Sequence, residues 1–195
     1  MKVIYFDNAA TTYPKPECVY EAIEEGMQKY SFNAGRGSYS AAQETFRMIE
    51  ETRSMLGDVV GVSGDKVIFT SSATESLNSI LYGLDLREND VVFVSPFEHN
   101  AVVRTLHHIG VKIKLIPFDR LTWKLYEKRY IDELLLYRPK AVVISHISNV
   151  TGFELPYEKI FEASKNIDCV NVLDCAQSFG IYNTNKNNAD YIVFA

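Results

Sequence analysis

Four segments of the chain place a chemically capable side chain where an apolar, β-branched run gives out. Thr74 follows Ile68-Phe69-Thr70-Ser71-Ser72-Ala73, His99 follows Val94-Ser95-Pro96-Phe97-Glu98, and Asn149 follows Ser145-His146-Ile147-Ser148. Asp174, with Gln177 three residues on, closes the run 169–173. A helix opening at Ala73 and Thr74 would leave its first N–H groups unsatisfied, which makes a phosphate site to which the Thr74 hydroxyl adds a donor. A helix N-terminus disfavours a second positive charge, so His99 is expected to be neutral, and a neutral imidazole can stack flat on an aromatic ring. Asn149 could donate to a phenolate-like oxygen or a carboxylate. Asp174 is the most telling of the set, because a buried carboxylate is costly unless a cation or several donors satisfy it. A cationic heterocycle nitrogen would suit it, and Gln177 could reach the same ligand.

Each feature has a plainer reading beside it. Ser72 or Thr74 can be a helix cap, His99 a surface or capping histidine, and Asn149 the closer of an Asx-turn before Gly152. Asp174 can cap the turn that follows it. His146 serves the loop rather than the chemistry. What a core-packing account does not predict is the joint placement, one polar group per strand end in chain order.

The elements that would position these groups are six short apolar runs, 67–71, 91–95, 111–117, 141–145, 169–173 and 190–194, spaced to leave room for helices between most of them. This is the pattern of an α/β fold whose mostly parallel sheet is covered on both faces. Residues 74–83, 100–110, 130–137 and 157–166 carry helix-compatible patterns between the runs. Two amphipathic helices, 16–30 and 41–57, precede the first run and are joined by a loop that contains Arg36. Residues 1–14 have no strand neighbour in sequence, and 183–188 form a polar turn region. In an open parallel sheet, ligands bind in the crevice outside the carboxyl ends of the strands, which is where the four segments fall.

Bulk properties narrow the function classes. A chain of 195 residues holds one well-buried domain, or a domain and part of a second. At 47% apolar and 23% charged residues it is an ordinary globular composition, and the net charge of -5 argues against nucleic acid or an anionic membrane as the main partner. Cys18, Cys169 and Cys175 are odd in number and lack paired metal spacing, so neither a disulfide framework nor a metal site is expected. The N-terminus, with an uninterrupted run of only four apolar residues, Val3-Ile4-Tyr5-Phe6, ahead of Asp7, is far short of a signal-peptide core, and the reading is a cytoplasmic protein.

Five motifs carry a family resemblance across the whole chain: Tyr5-Phe6-Asp7-Asn8-Ala9-Ala10-Thr11-Thr12, Phe69-Thr70-Ser71-Ser72-Ala73-Thr74-Glu75-Ser76-Leu77-Asn78, Glu98-His99-Asn100, Ser148-Asn149-Val150-Thr151-Gly152 and Asp174-Cys175-Ala176-Gln177. With them the sequence resembles the N-terminal half of a class V aminotransferase-fold enzyme, nearest to the cysteine desulfurases. The resemblance implies the large domain of a pyridoxal 5'-phosphate-dependent transferase, a three-layer sandwich truncated at its C-terminal side. Residues 1–30 would be an N-terminal segment and helix, residues 31–195 an incomplete cofactor-binding domain, and the small C-terminal domain would be absent. Ala73 and Thr74 would then hold the phosphate and His99, the one catalytic residue carried over, would stack on the pyridine ring. Asn149 and Gln177 would meet the ring oxygen or the substrate carboxylate, and Asp174 would pair with the protonated ring nitrogen. Arg36 matches the family's arginine-containing loop only loosely, as a substrate contact or a contact to a neighbouring subunit. Its plainer reading is a solvated loop arginine.

One departure bears on activity. In the family the cofactor-anchoring lysine follows a strand corresponding to 191–194, and none of the twelve lysines here stands at such a place. Lys140 precedes a strand and Lys186 lies in the polar turn region. The family's sulfur-carrying cysteine has no counterpart either, and Cys18, Cys169 and Cys175 are read as small core or loop residues. The resemblance therefore implies conversion of L-cysteine to L-alanine with sulfur transfer to an acceptor protein in the intact enzyme, a homodimer, and an inactive isolated chain. The alternatives are another class V aminotransferase or amino-acid lyase, and a noncatalytic binding module of the same fold. A nucleotide-binding enzyme is the weakest rival, because no glycine-rich dinucleotide fingerprint or phosphate-loop lysine motif is present. A sheet ending near Phe194 is also expected to expose an unpaired edge and to associate.

Overall fold

The computed structural model describes residues 4–182 and 188–195, so five residues of the expected polar turn, Lys186 among them, lie outside the described residues. The chain divides into two compact units, Met1–Ile68 and Phe69–Ala195.

In the first unit, residues 4–16 form no helix or strand, and two helices follow, α1 (Glu17–Lys29) and α2 (Ser40–Val60). None of the α1 residues is buried, whereas α2 buries Ala42, Thr45, Gly57 and Val60. The chain reverses over α2 at Gly61, a left-handed C-cap (φ 73°), and Gly57 lets the returning backbone come close. A Cβ at Gly57 would stand 2.6 Å from the carbonyl oxygen of Val62. Arg53 donates from Nη1 to the Val67 carbonyl, tying the returning chain to the helix.

The second unit is built on a five-stranded sheet of β1 (Val91–Val94), β2 (Lys112–Leu115), β3 (Ala141–Ser145), β4 (Val170–Asp174) and β5 (Tyr191–Val193). The order across the sheet is β2-β1-β3-β4-β5 and every pairing is parallel. Helices α3 (Ala73–Gly83), α4 (Asn100–Ile109), α5 (Glu127–Tyr137) and α6 (Tyr157–Ser164) supply the outer layers. Successive strand residues face opposite ways, and the core divides accordingly. Phe93, Val142, Ile144 and Leu173 pack with Tyr130 and Leu134 of α5 and Ile160 and Phe161 of α6. Val92, Val94, Val143, Val172 and Val193 pack with Leu77 and Leu81 of α3 and Val102 and Leu106 of α4. This is the expected α/β sandwich of three layers; the inner strands β1 and β3 are near-continuous apolar runs because both their faces are covered, whereas the edge strand β2 alternates lysine with apolar residues.

The run at 67–71 is not a strand. It forms neither helix nor strand and pairs with none of the described strands, and Ile68 and Phe69 are 79% and 47% exposed. A β-branched run becomes a strand only where a neighbour offers it a ladder and a face to bury. The helix expected from 130 starts a turn earlier, at Glu127, with that glutamate in its first turn. The topology also fixes where a ligand can enter. From β1 the chain crosses to β2 on one side, then returns to β3 on the other, so the order reverses between β1 and β3 and their carboxyl ends part there.

Candidate functional site

Helix α3 runs alongside α4, with Asn78 accepting from the Thr105 hydroxyl at 2.6 Å and Tyr82 meeting His108 four residues on, so its N-terminus falls at the same sheet edge as that of α4, which follows the carboxyl end of β1. Ser72 is its N-cap, accepting from the Glu75 N–H at 3.2 Å, and Glu75 reaches back to the N–H of Ser71 at 2.7 Å and to its hydroxyl. These bonds hold the exposed Glu75 carboxyl below its usual range. The plainer reading of Ser72 as a cap is thus correct, while Thr74 is not the cap but the second helical residue. The N–H groups of Ala73 and Thr74 have no carbonyl within the helix to donate to, and the exposed Thr74 hydroxyl stands beside them. Ser72→Ala is expected to destabilise the chain by about 1 kcal/mol, read from urea unfolding.

His99 is the N-cap of α4, and its Nδ1 accepts from the Ala101 N–H at 3.1 Å. With that lone pair engaged, the ring proton of a neutral imidazole belongs on Nε2. The side chain is exposed at the sheet edge, free to meet a flat ligand.

Asn149 lies in the loop that leaves β3 and returns as far as Leu155, whose N–H donates to the His146 carbonyl at 2.8 Å. The tip is closed by Ser148, not by Asn149: its buried hydroxyl accepts from Val150 and Thr151 N–H at 3.3 Å, and its carbonyl accepts from Gly152 N–H at 2.9 Å. Gly152 adopts φ 68° to complete the turn. Among the described residues the exposed Asn149 amide makes no hydrogen bond, so the Asx-turn reading fails and the amide remains available. His146 is buried against the edges of Tyr157 and Tyr182, at ring distances of 4.7 and 5.6 Å, and burial lowers its pKa. Its place is the base of the loop.

Asp174 ends β4 and is 6% exposed. Its Oδ1 accepts from the Ala176 N–H at 2.9 Å, so it does cap the next turn. That is the only side-chain hydrogen bond it makes among the described residues, and a carboxylate has room for about four. Burial raises its pKa, opposed by the Ala176 bond and by electrostatic attraction to His99. A buried carboxylate with one donor is a site for a cation, and the residues present fit a ligand that combines a protonated ring nitrogen with a phosphate. Gln177 follows in the same turn region, half-buried.

The carboxyl edge of the second unit therefore carries Ala73, Thr74, His99, Asn149, Asp174 and Gln177. Arg36 is exposed on a loop of the first unit. Glu98 is the polar residue to which sequence reasoning gave no role. It accepts from Ser95 Oγ, from the Ser145 N–H at 2.8 Å and from Ser145 Oγ at 2.9 Å, and burial with a contribution from Asp174 pushes its pKa up to about 7. No signal local to Glu98 could have found it, because Ser145 lies 47 residues away in sequence. The thiols of Cys169 and Cys175 are pushed up to about 12 by burial, which makes them poor nucleophiles, and Cys18 is neither core nor loop but an exposed residue of α1. No group of His, Cys, Asp and Glu fit to hold a metal, and no helix long and apolar enough to cross a membrane, occurs among the described residues. Lys140 stands just before β3, at the opposite edge.

Comparison with known proteins follows the same lines. The family model described as aminotransferase class-V matches residues 4–195. A probable cysteine desulfurase of Pyrococcus abyssi is 31% identical over 207 residues, which cover 100% of this chain and 49% of the relative. The apo structure of a cysteine desulfurase from Thermococcus onnurineus NA1 superposes with a TM-score of 0.88 at 30% identity, over 99% of this chain and 49% of that one. A structure of SspA in complex with cysteine gives a TM-score of 0.86 at 25% identity, over 98% and 56%. The chain spans about half the length of the proteins it matches.

Proposed function

Since the chain belongs to the class V aminotransferase family, we propose that it forms the cofactor-binding part of a pyridoxal phosphate enzyme of the cysteine desulfurase type. The observation that carries this reading is Asp174, a buried carboxylate with one hydrogen-bond donor, set at a strand end within electrostatic reach of His99. Asp174 would pair with the ring nitrogen and keep it protonated. His99, with its ring fixed through Nδ1, would lie against the face of the ring, and Ala73 and Thr74 would receive the phosphate. Asn149 and Gln177 would meet the ring oxygen or a substrate carboxylate. Pyridoxal phosphate bound this way supplies an electron sink for charge developing at the α-carbon of an amino acid.

The substrate proposed is L-cysteine, converted to L-alanine with the sulfur passed to an acceptor protein. This is supported by the desulfurase relatives and by the cysteine in the SspA structure. Arg36 is proposed as a substrate contact on family grounds alone. Residues 31–195 are proposed as part of the large domain, and residues 1–30 as an N-terminal segment and helix. A cytoplasmic homodimer, with no metal, nucleic acid or membrane, completes the reading.

The chain by itself is proposed to bind the cofactor without turning over. Catalysis needs an amine at the strand ends to anchor the cofactor and move the α-proton, and none of the twelve lysines is proposed for that place. Titration with pyridoxal phosphate, followed by absorbance, is expected to saturate and to reverse on dialysis, with no cofactor trapped by borohydride. Incubation with L-cysteine is expected to yield no alanine or sulfide above free cofactor. Absence of saturable binding would overturn the cofactor reading, and turnover would overturn the predicted inactivity.

A further inference from the structure

The reversal in strand order lies between β1 and β3, and one carboxylate is tied into both strand ends. Glu98 sits in the turn after β1 and accepts from the hydroxyl of Ser95, the residue that follows β1. From Ser145, the last residue of β3, it accepts twice, through the N–H at 2.8 Å and the hydroxyl at 2.9 Å. Ser95 also accepts from the Phe97 N–H at 3.1 Å, so its hydroxyl is used in both directions and folds the turn back on itself. Both serines are buried, at 2% and 5% exposure. Ser145 pairs in register with Asp174 of β4, and Glu98 is followed directly by His99. His99 thus follows the carboxylate directly in sequence, and Asp174 lies one strand across from the serine that the carboxylate holds.

Glu98 stands beside Asp174, whose charge makes it harder to ionise. An acid that close to a cation-seeking aspartate is tolerable where its three donors hold a geometry that the site depends on. We propose that Glu98 is a positioning residue of the ligand site, whose carboxylate fixes the Ser95–His99 turn on Ser145 and so sets the spacing between the His99 imidazole and the Asp174 carboxylate. The clamp itself stands on geometry alone; only its service to pyridoxal phosphate rests on the function proposed above. Because the role is geometric, a neutral side chain of the same shape should preserve it. A glutamine can accept from the Ser145 N–H through Oε1 while its amide donates to a serine hydroxyl.

The test compares Glu98→Ala, Glu98→Gln and Ser145→Ala with the unaltered chain by two readouts. Without ligand, nitrogen NMR of His99 should show one fixed tautomer, with Nδ1 as acceptor, in the unaltered chain and in E98Q. E98A should show shifts averaged between tautomers. Titration with pyridoxal phosphate should show affinity falling by about tenfold or more in E98A and staying within about threefold in E98Q. Should E98A fail to fold, S145A, which removes one of the three donors, must move both readouts in the same direction. Unchanged His99 shifts in a folded E98A or S145A overturn the proposal. So does E98Q behaving like E98A, which would mark a need for the charge itself. If the unaltered chain binds no pyridoxal phosphate, the cofactor reading fails, and the tautomer readout alone decides whether Glu98 positions His99.

Discussion

Asp174→Asn is expected to weaken binding of pyridoxal phosphate on the order of a hundredfold while leaving the free chain at least as stable as before. The two effects have opposite signs because the carboxylate is poorly served until a cation arrives. In the free chain it is buried with a single N–H donor, and burial raises its pKa. Asparagine keeps that donor through its own Oδ1 and removes a charge whose burial is costly. With the cofactor bound, the same substitution would remove the anion proposed to hold the ring nitrogen protonated. A residue kept for stability would lose stability when replaced, whereas one kept for a ligand loses affinity. Thermal unfolding and equilibrium titration of the same preparation separate the two. A marked loss of stability with unchanged affinity would assign Asp174 to the turn it caps and to nothing else.

The second large effect is a fall in stability as pH rises from about 5 to about 7.5. The unfolded chain releases the Glu98 proton near its ordinary value of 4.5, while the folded chain holds it to about 7. Between those values the folded state binds more protons, so each step up in pH costs stability. Over the whole window the loss attributable to Glu98 is on the order of 3 kcal/mol. Asp174, raised from 3.8, acts in the same direction. His146 acts in the other, since its lowered pKa means that the unfolded chain takes up its proton first as pH falls below 6.5. Comparing the chain with Glu98→Gln isolates the glutamate's share. Urea unfolding at the two ends of the window should give a smaller fall, or a rise, in E98Q. Equal pH dependence in the two proteins would mean that Glu98 is not the carboxyl that titrates.

What could be read before the structure was known follows the range of the interactions involved. The strands at 91–95 and 141–145 were legible because a strand covered on both faces must be largely apolar, and 91–94 and 141–144 are apolar throughout. Residues 67–71 have the same composition and failed, since pairing depends on a neighbour that local sequence does not name. At the tip of the β3 loop, Ser148 and Asn149 are both turn formers, and only the folded backbone shows that Ser148 closes the turn and leaves the Asn149 amide outward. Asp174 was legible as a carboxylate at the end of an apolar run, and its shortage of donors could be guessed from that. The Glu98 clamp could not, because Glu98 and Ser145 are separated by 47 residues and nothing local to either points to the other.

The claim on which the rest depends is that the strand-end site holds the cofactor ring through Asp174. Its most direct test is the nitrogen NMR shift of pyridoxal phosphate labelled at the ring nitrogen, recorded near pH 8 bound to the chain and to its Asp174→Asn variant at saturating protein. The expected result is the shift of a protonated pyridinium on the unaltered chain and of an unprotonated pyridine on D174N. A ring nitrogen that is unprotonated on both, or that gives the same shift with and without the carboxylate, would contradict it.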